Sequence, residues 1–159
     1  MTKVSGLLVS AALGFEIANA SIARGEDLFN GAEPNLSLFG SWVDKRDSDF
    51  APGLGFGYFF TQRLGVGMTT FWENYEGTLF DNVSAEGYFR WPLGEMNLAP
   101  YGMAALGYSF ETSEGFEMLG GGVEWRLHPK WGLFGEVRWQ FNNQTDDGAG
   151  IRVGARLVF

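Results

Sequence analysis

The chain has 159 residues, a formal net charge of -8, no cysteine, 24 glycines and 16% aromatic residues. That length fits one domain, and without cysteine neither a disulfide nor a thiolate metal site is available. The acidic balance and the lack of any basic stripe argue against a nucleic-acid partner.

The first residues read as an export signal. Lys3 supplies the charged start, Val4–Phe15 a short apolar stretch, and Ala18-Asn19-Ala20 an A-x-A cleavage site, so a mature chain from Ser21 is expected. No run of about eighteen apolar residues follows, which excludes a membrane-crossing helix. Strands that cross a bilayer leave a much weaker trace per segment and remain possible. Ser21–Glu33 is polar and aperiodic, and reads as a flexible N-terminal segment.

From Pro34 onward, short alternating segments are divided by turn residues, which predicts an all-β meander. The first segment, Asn35–Val43, sets Leu36, Leu38, Gly40 and Trp42 on one face against Asn35, Ser37 and Ser41. In Pro52–Thr61 the residues Leu54, Phe56, Tyr58 and Phe60 alternate with Gly53, Gly55 and Gly57. Small inner residues beside bulky neighbours suit a tight barrel interior. Leu64–Glu73 places Leu64, Val66, Met68, Thr70 and Trp72 outward. Asn82–Trp91 places Ser84, Glu86, Tyr88 and Arg90 inward and ends at Pro92. Asn97–Phe110 follows, then Phe116–Leu127 with Glu124 and Arg126 inward, and Trp131–Asn142 with Phe134, Glu136, Arg138 and Gln140 inward.

The last strand, Ile151–Phe159, shows the alternation most plainly. Ile151, Val153, Ala155, Leu157 and Phe159 share one face, and Arg152, Gly154 and Arg156 the other. A soluble sandwich would hide the apolar face, whereas a transmembrane barrel turns it to lipid and the arginines into a narrow lumen. About eight strands, each near nine to eleven residues, fit a bilayer. The expected fold is therefore an all-β, eight-stranded antiparallel up-and-down transmembrane β-barrel over residues 34–159. An even strand count puts the turns at Thr61–Arg63, Pro92–Met96 and His128–Lys130 on the side of the termini, which is the periplasmic side for such a barrel. Trp42, Tyr58, Trp72, Trp91, Tyr108, Trp125, Trp131, Trp139 and Phe159 cluster near strand ends, as an interfacial aromatic girdle requires.

Gly121-Gly-Val-Glu-Trp-Arg-Leu-His-Pro-Lys-Trp-Gly-Leu-Phe-Gly-Glu-Val-Arg-Trp139, followed by a strand ending in Phe159, resembles the small eight-stranded outer-membrane barrels of the OmpA/OmpX type. The resemblance implies acidic and basic residues on the lumen face of the penultimate hairpin, at Glu124, Arg126, Glu136 and Arg138. It also implies an outer-membrane address, contact with lipid and lipopolysaccharide, and recognition of the C-terminal strand by the barrel assembly machinery. Roles in envelope integrity or surface adhesion are implied as well, in a monomer.

The residues offer three places for chemistry. Inside, Glu86, Glu124 and Glu136 with Arg90, Arg126, Arg138, Arg152 and Arg156 are expected to form ion pairs between neighbouring strands, because charge in a narrow barrel is costly unless paired. An eight-stranded interior is just wide enough for side chains to fill, so a plugged lumen is expected. At the loops, Asp47, Asp49, Asp146 and Asp147 are weak candidates for a divalent cation bridging to lipopolysaccharide. Asp47-Ser-Asp49 matches only a fragment of a calcium loop. Catalysis is not expected: the single histidine, His128, sits in a turn on the side opposite Ser109 and Ser113, and hydrolysis would need them together. No cofactor is expected. The alternative reading is a small-molecule carrier or narrow-pore barrel, which an arginine-lined interior disfavours.

Overall fold

The computed structural model describes residues 28–43, 50–72, 81–142 and 148–159. The expected signal segment and the aspartates Asp47, Asp49, Asp146 and Asp147 lie outside them. Eight strands follow in order: β1 (Glu33–Val43), β2 (Phe50–Phe59), β3 (Leu64–Phe71), β4 (Asn82–Arg90), β5 (Leu98–Ser109), β6 (Glu114–His128), β7 (Trp131–Asn142) and β8 (Gly148–Val158). Each pairs antiparallel with the next, and β8 closes on β1 from Asn35↔Val158 to Val43↔Gly150. The result is a closed up-and-down barrel. Closure leaves no free sheet edge, so every strand finds backbone partners on both sides.

The alternation read from the sequence becomes an inside and an outside. Arg90 and Arg126 are 0% exposed, whereas Leu106 is 66% and Phe159 75% exposed. That is the inverse of a water-soluble domain, where charged residues are almost never fully buried. The interior narrows around glycines. A Cβ on Gly65 would lie 2.6 Å from the Phe59 ring, and one on Gly122 would meet Tyr101 Oη at 2.9 Å and Glu136 Cα at 3.0 Å. Glycine at these positions lets rings and neighbouring backbone approach as a small barrel demands.

One end, here the near end, carries the short connections around residues 60–63, 91–97 and 129–130 together with Leu28–Ala32 and Phe159. Thr61 Oγ1 accepts the N–H groups of Arg63 (3.1 Å) and Leu64 (2.9 Å), which tightens the first of these turns. Asn97 takes a φ of 55°, a left-handed conformation that asparagine tolerates better than most residues. At the opposite, far end the described connection is residues 110–113, where Ser113 has a φ of 56°.

An apolar cluster that includes Phe39, Phe71, Met103, Phe116, Met118 and Phe134 lies toward the far half of the lumen. The near mouth holds a smaller cluster of Leu28, Phe29 and Ala99. Here the sequence reading needs correction. Leu28–Glu33, read as the tail of a flexible segment, folds into the near mouth: Leu28 and Phe29 are buried and β1 begins two residues earlier, at Glu33. The physical reason is that the mouth offers an apolar floor at Ala99 and two arginines for Phe29 to cover.

Replacing Gly122 by alanine drives a methyl group against Tyr101 and the β7 backbone. It is expected to lower unfolding stability by about 1–3 kcal/mol, the usual range for overpacking. The urea midpoint of the refolded variant measures this, and an unchanged midpoint would mean the wall can give way there.

Candidate functional site

The polar constellation lies within the barrel, in two levels. At the near level Glu33 is the hub. Its Oε1 lies 2.6 Å from Arg126 Nη2 and its Oε2 lies 3.0 Å from Arg90 Nη2. Arg126 also donates from Nη2 to Glu124 Oε1 at 2.6 Å and from Nη1 to the Leu28 carbonyl at 2.9 Å. Arg90 donates from Nε to the Gln62 carbonyl (2.7 Å) and from Nη2 to the Asn30 carbonyl (2.8 Å). Phe29 sits between the two guanidinium groups, whose carbons lie 5.1 Å and 4.8 Å from its ring centroid, and Arg90 also lies 3.7 Å from the Phe59 centroid. Such cation–π contacts strengthen when desolvated, as they are here. Arg156 completes this level through Glu124 Oε2 and donates to Ser37 Oγ at 3.2 Å.

At the next level Glu86 is the hub. It accepts from Thr69 Oγ1 (2.7 Å), Ser84 Oγ (3.2 Å), Arg138 Nη1 (2.8 Å) and Tyr88 Oη. Arg138 Nε pairs with Glu136, which also accepts from Tyr101 Oη at 3.0 Å. Arg152 lies 3.5 Å from Glu86 and 3.8 Å from Glu136, with its guanidinium 3.8 Å from the Phe39 centroid. A cavity of about 20 Å³ borders this level, lined among others by Ser41, Arg138, Gln140 and Arg152. Arg138 Nη2 and Arg152 Nε find no hydrogen-bond partner among the described residues. That volume is on the scale of a single water molecule.

All eight residues predicted for the lumen network are buried and meet in it. The pattern of pairing differs from expectation in part. Glu33–Arg90 joins β1 to β4, Glu33–Arg126 joins β1 to β6, and Glu86–Arg138 joins β4 to β7, so these ion pairs cross the lumen, whereas Glu136 and Arg152, 3.8 Å apart, link the adjacent strands β7 and β8 as expected. Two more, Glu124–Arg126 and Glu136–Arg138, run along one strand. In so narrow a tube an arginine side chain spans to the opposite wall, and Arg138 has only glycines, Gly120 and Gly150, at its neighbouring-strand positions. Sequence reasoning missed Glu33, Phe29 and the hydroxyls of Thr69, Tyr88 and Tyr101. Glu33 carried a signal in its odd-numbered register with Asn35 and Ser37, masked by the polar run before it.

The predicted aromatic residues point outward and fall at the two ends. Tyr58, Trp91, Trp125, Trp131 and Phe159 lie toward the near end, and Trp42, Trp72, Tyr108 and Trp139 toward the far end. Several are doubled, as in Trp42–Phe50 and Tyr108–Phe110, with centroids 4.9 Å and 5.3 Å apart. His128 Nδ1 accepts the Lys130 N–H at 3.2 Å in the near-end turn, while Ser109 and Ser113 stand at the far end. Among the described residues no group of three or more His, Asp or Glu side chains is placed to hold a metal ion.

Removing the Glu33 charge leaves Arg90 and Arg126 buried with less compensation. Glu33→Gln is expected to cost about 3–5 kcal/mol, the range for breaking a buried pair, read as a lower denaturant midpoint. A loss far below that range would mean another group neutralises the two arginines.

No protein-family model matches the sequence, and no curated protein does. Among solved structures, the N-terminal β-barrel domain of Pseudomonas aeruginosa OprF is similar with a TM-score of 0.67 at 14% identity, covering 82% of this chain and 99% of that one. A de novo designed transmembrane β-barrel is similar at 0.62 and 16% identity, covering 81% and 97%. Neisserial surface protein A is similar at 0.57 and 14% identity, covering 80% and 96%. With charges within, apolar side chains without and eight strands closed in sequence order, the chain has the transmembrane fold of the small outer-membrane β-barrels of the OmpA/OmpX type.

Proposed function

We propose that the protein is an integral outer-membrane barrel whose interior is closed by its own side chains, with a non-enzymatic part in envelope integrity or surface contact. The observation that carries this reading is the inverted burial: ion-paired arginines and glutamates inside, and a predominantly apolar wall outside. Only a hydrocarbon solvent stabilises such an exterior, because there is no core left to drive folding in water. Aromatic residues at both strand ends fit the two interfaces of a bilayer about 25 Å thick in its apolar band.

The near end, with its short turns, is assigned to the periplasm and the far end to the outside. Insertion would use the Phe159-terminated strand as the signal for the assembly machinery, and the mature protein would be a monomer among lipid and lipopolysaccharide. Divalent cations at Asp47, Asp49, Asp146 and Asp147 are part of this proposal. Two cross-lumen ion-pair levels stacked under an apolar cluster favour a plug over a pore. The separation of His128 from Ser109 and Ser113 speaks against a hydrolase.

Three measurements test the reading. The chain refolded into detergent micelles is expected to migrate differently on gels before and after boiling. Planar bilayers containing it are expected to stay free of stable, ohmic channels. Val153→Arg, on the outward face of β8, is expected to cost roughly 2–4 kcal/mol in lipid, as a cation does at mid-membrane. A protein that folds in water, shows no boiling shift and tolerates Val153→Arg would reverse inside and outside.

A further inference from the structure

The last strand opens with two glycines on its inward face. Gly148 and Gly150 precede Arg152 there, and they pair with Gln140 and Arg138 on β7. With no side chain at two successive inward positions of β8, the tube keeps a cavity of about 20 Å³ at this level. Ser41 pairs with Arg152 from the other side and lines the same cavity. The space thus lies at the seam, where β7, β8 and β1 meet to close the barrel. Phe71 and Met118, from the apolar cluster, complete its wall and hold bulk water away.

Two buried guanidinium groups border this space with donors to spare. Arg138 is 5% and Arg152 3% exposed. Arg138 commits Nε to Glu136 and Nη1 to Glu86, and its Nη2 has no hydrogen-bond partner among the described residues. Arg152 holds Glu86 and Glu136 only loosely, at 3.5 Å and 3.8 Å, and its Nε is likewise unpartnered. A buried donor without an acceptor is costly, and more so when it carries charge. An acceptor in the cavity would relieve both groups at once.

Charge decides which acceptor. Along the strands the lumen buries five arginines, Arg90, Arg126, Arg138, Arg152 and Arg156, against Glu33, Glu86, Glu124 and Glu136. Asp81, the other buried acid of the described residues, precedes β4 and does not line the cavity. One positive charge is therefore left over in surroundings where an uncompensated charge is costly. The two levels of the network share this surplus, because Arg156 lies 5.8 Å from the ring of Tyr88, whose hydroxyl donates to Glu86. Water would accept the two N–H groups and bring no charge, whereas one monovalent anion accepts from both and cancels the surplus. Size narrows the choice, since the cavity admits a single water-sized occupant. Phosphate, sulfate and carboxylates are too large.

We propose that this cavity binds one halide, chloride in ordinary media, between Arg138 Nη2 and Arg152 Nε, with the Ser41 hydroxyl as a third donor. Charge-assisted hydrogen bonds of this kind are the strong ones. The ion ties β7, β8 and β1 together at the seam and completes the charge balance of the lumen.

The test uses the full chain refolded in micelles and unfolded by urea in sodium bromide, chloride or gluconate at equal ionic strength, gluconate being too large for the cavity. With one site, the folded-to-unfolded ratio is expected to rise about tenfold for each tenfold rise in halide above its dissociation constant. Gln140→Glu sets a carboxylate in the cavity wall in place of the ion, and is expected to keep the boiling shift while losing the halide dependence. Crystals grown in bromide are expected to show an anomalous peak between Arg138 and Arg152. Equal midpoints in halide and gluconate overturn the proposal and leave water as the occupant. So does a halide dependence that survives in Gln140→Glu, or a bromide peak at Arg90, whose Nη1 is also unpartnered, because either puts the ion elsewhere. Should Gln140→Glu fail to fold, the bromide peak of the wild type decides.

Discussion

Everything about this barrel depends on guanidinium groups reaching across its lumen to carboxylates on the opposite wall. A closed sheet of eight strands encloses too little room for water to solvate five buried arginines and four glutamates, so each charge must find a counterpart within it. The arrangement draws on every strand: Glu33 and Ser37 from β1, the Phe59 ring from β2, Thr69 from β3, Glu86 and Arg90 from β4, Tyr101 from β5, Glu124 and Arg126 from β6, Glu136 and Arg138 from β7, Arg152 and Arg156 from β8. A slip of one residue in any strand would turn its polar member outward and strand a partner within. The ion pairs therefore fix register as much as they fill space.

The two faces of each strand were legible from the sequence because period-two alternation is a local property. Ile151–Phe159 and Trp131–Asn142 announce their faces without reference to any other part of the chain. Which charge meets which was not legible, since alternation tells a residue to point inward but not around the circumference. Arg138 reaching Glu86, three strands away, follows from the bore of the tube and the length of an arginine side chain. Glu33 escaped notice because Pro34 and the polar run before it looked like the end of a loop.

The comparison structures illustrate how little sequence this fold demands. A designed barrel and natural outer-membrane barrels are similar to this chain in structure at only 14–16% identity, so the fold does not depend on one particular sequence. Individual character then resides where a residue departs from the rule. Here that character lies in which charges meet across the lumen, Glu33 with Arg90 and Arg126, and Glu86 with Arg138.

The residues ahead of the first strand acquire a role in the order of assembly. Glu33 opens β1, the strand that must pair with both β2 and β8 to close the circle, and Phe29 caps the two arginines that Glu33 neutralises. Until β1 docks, Arg90 and Arg126 lack a shared counter-ion and the near mouth stands open. Joining the seam and discharging the mouth are thus a single event, so a half-closed sheet carries an electrostatic debt that only its completion removes.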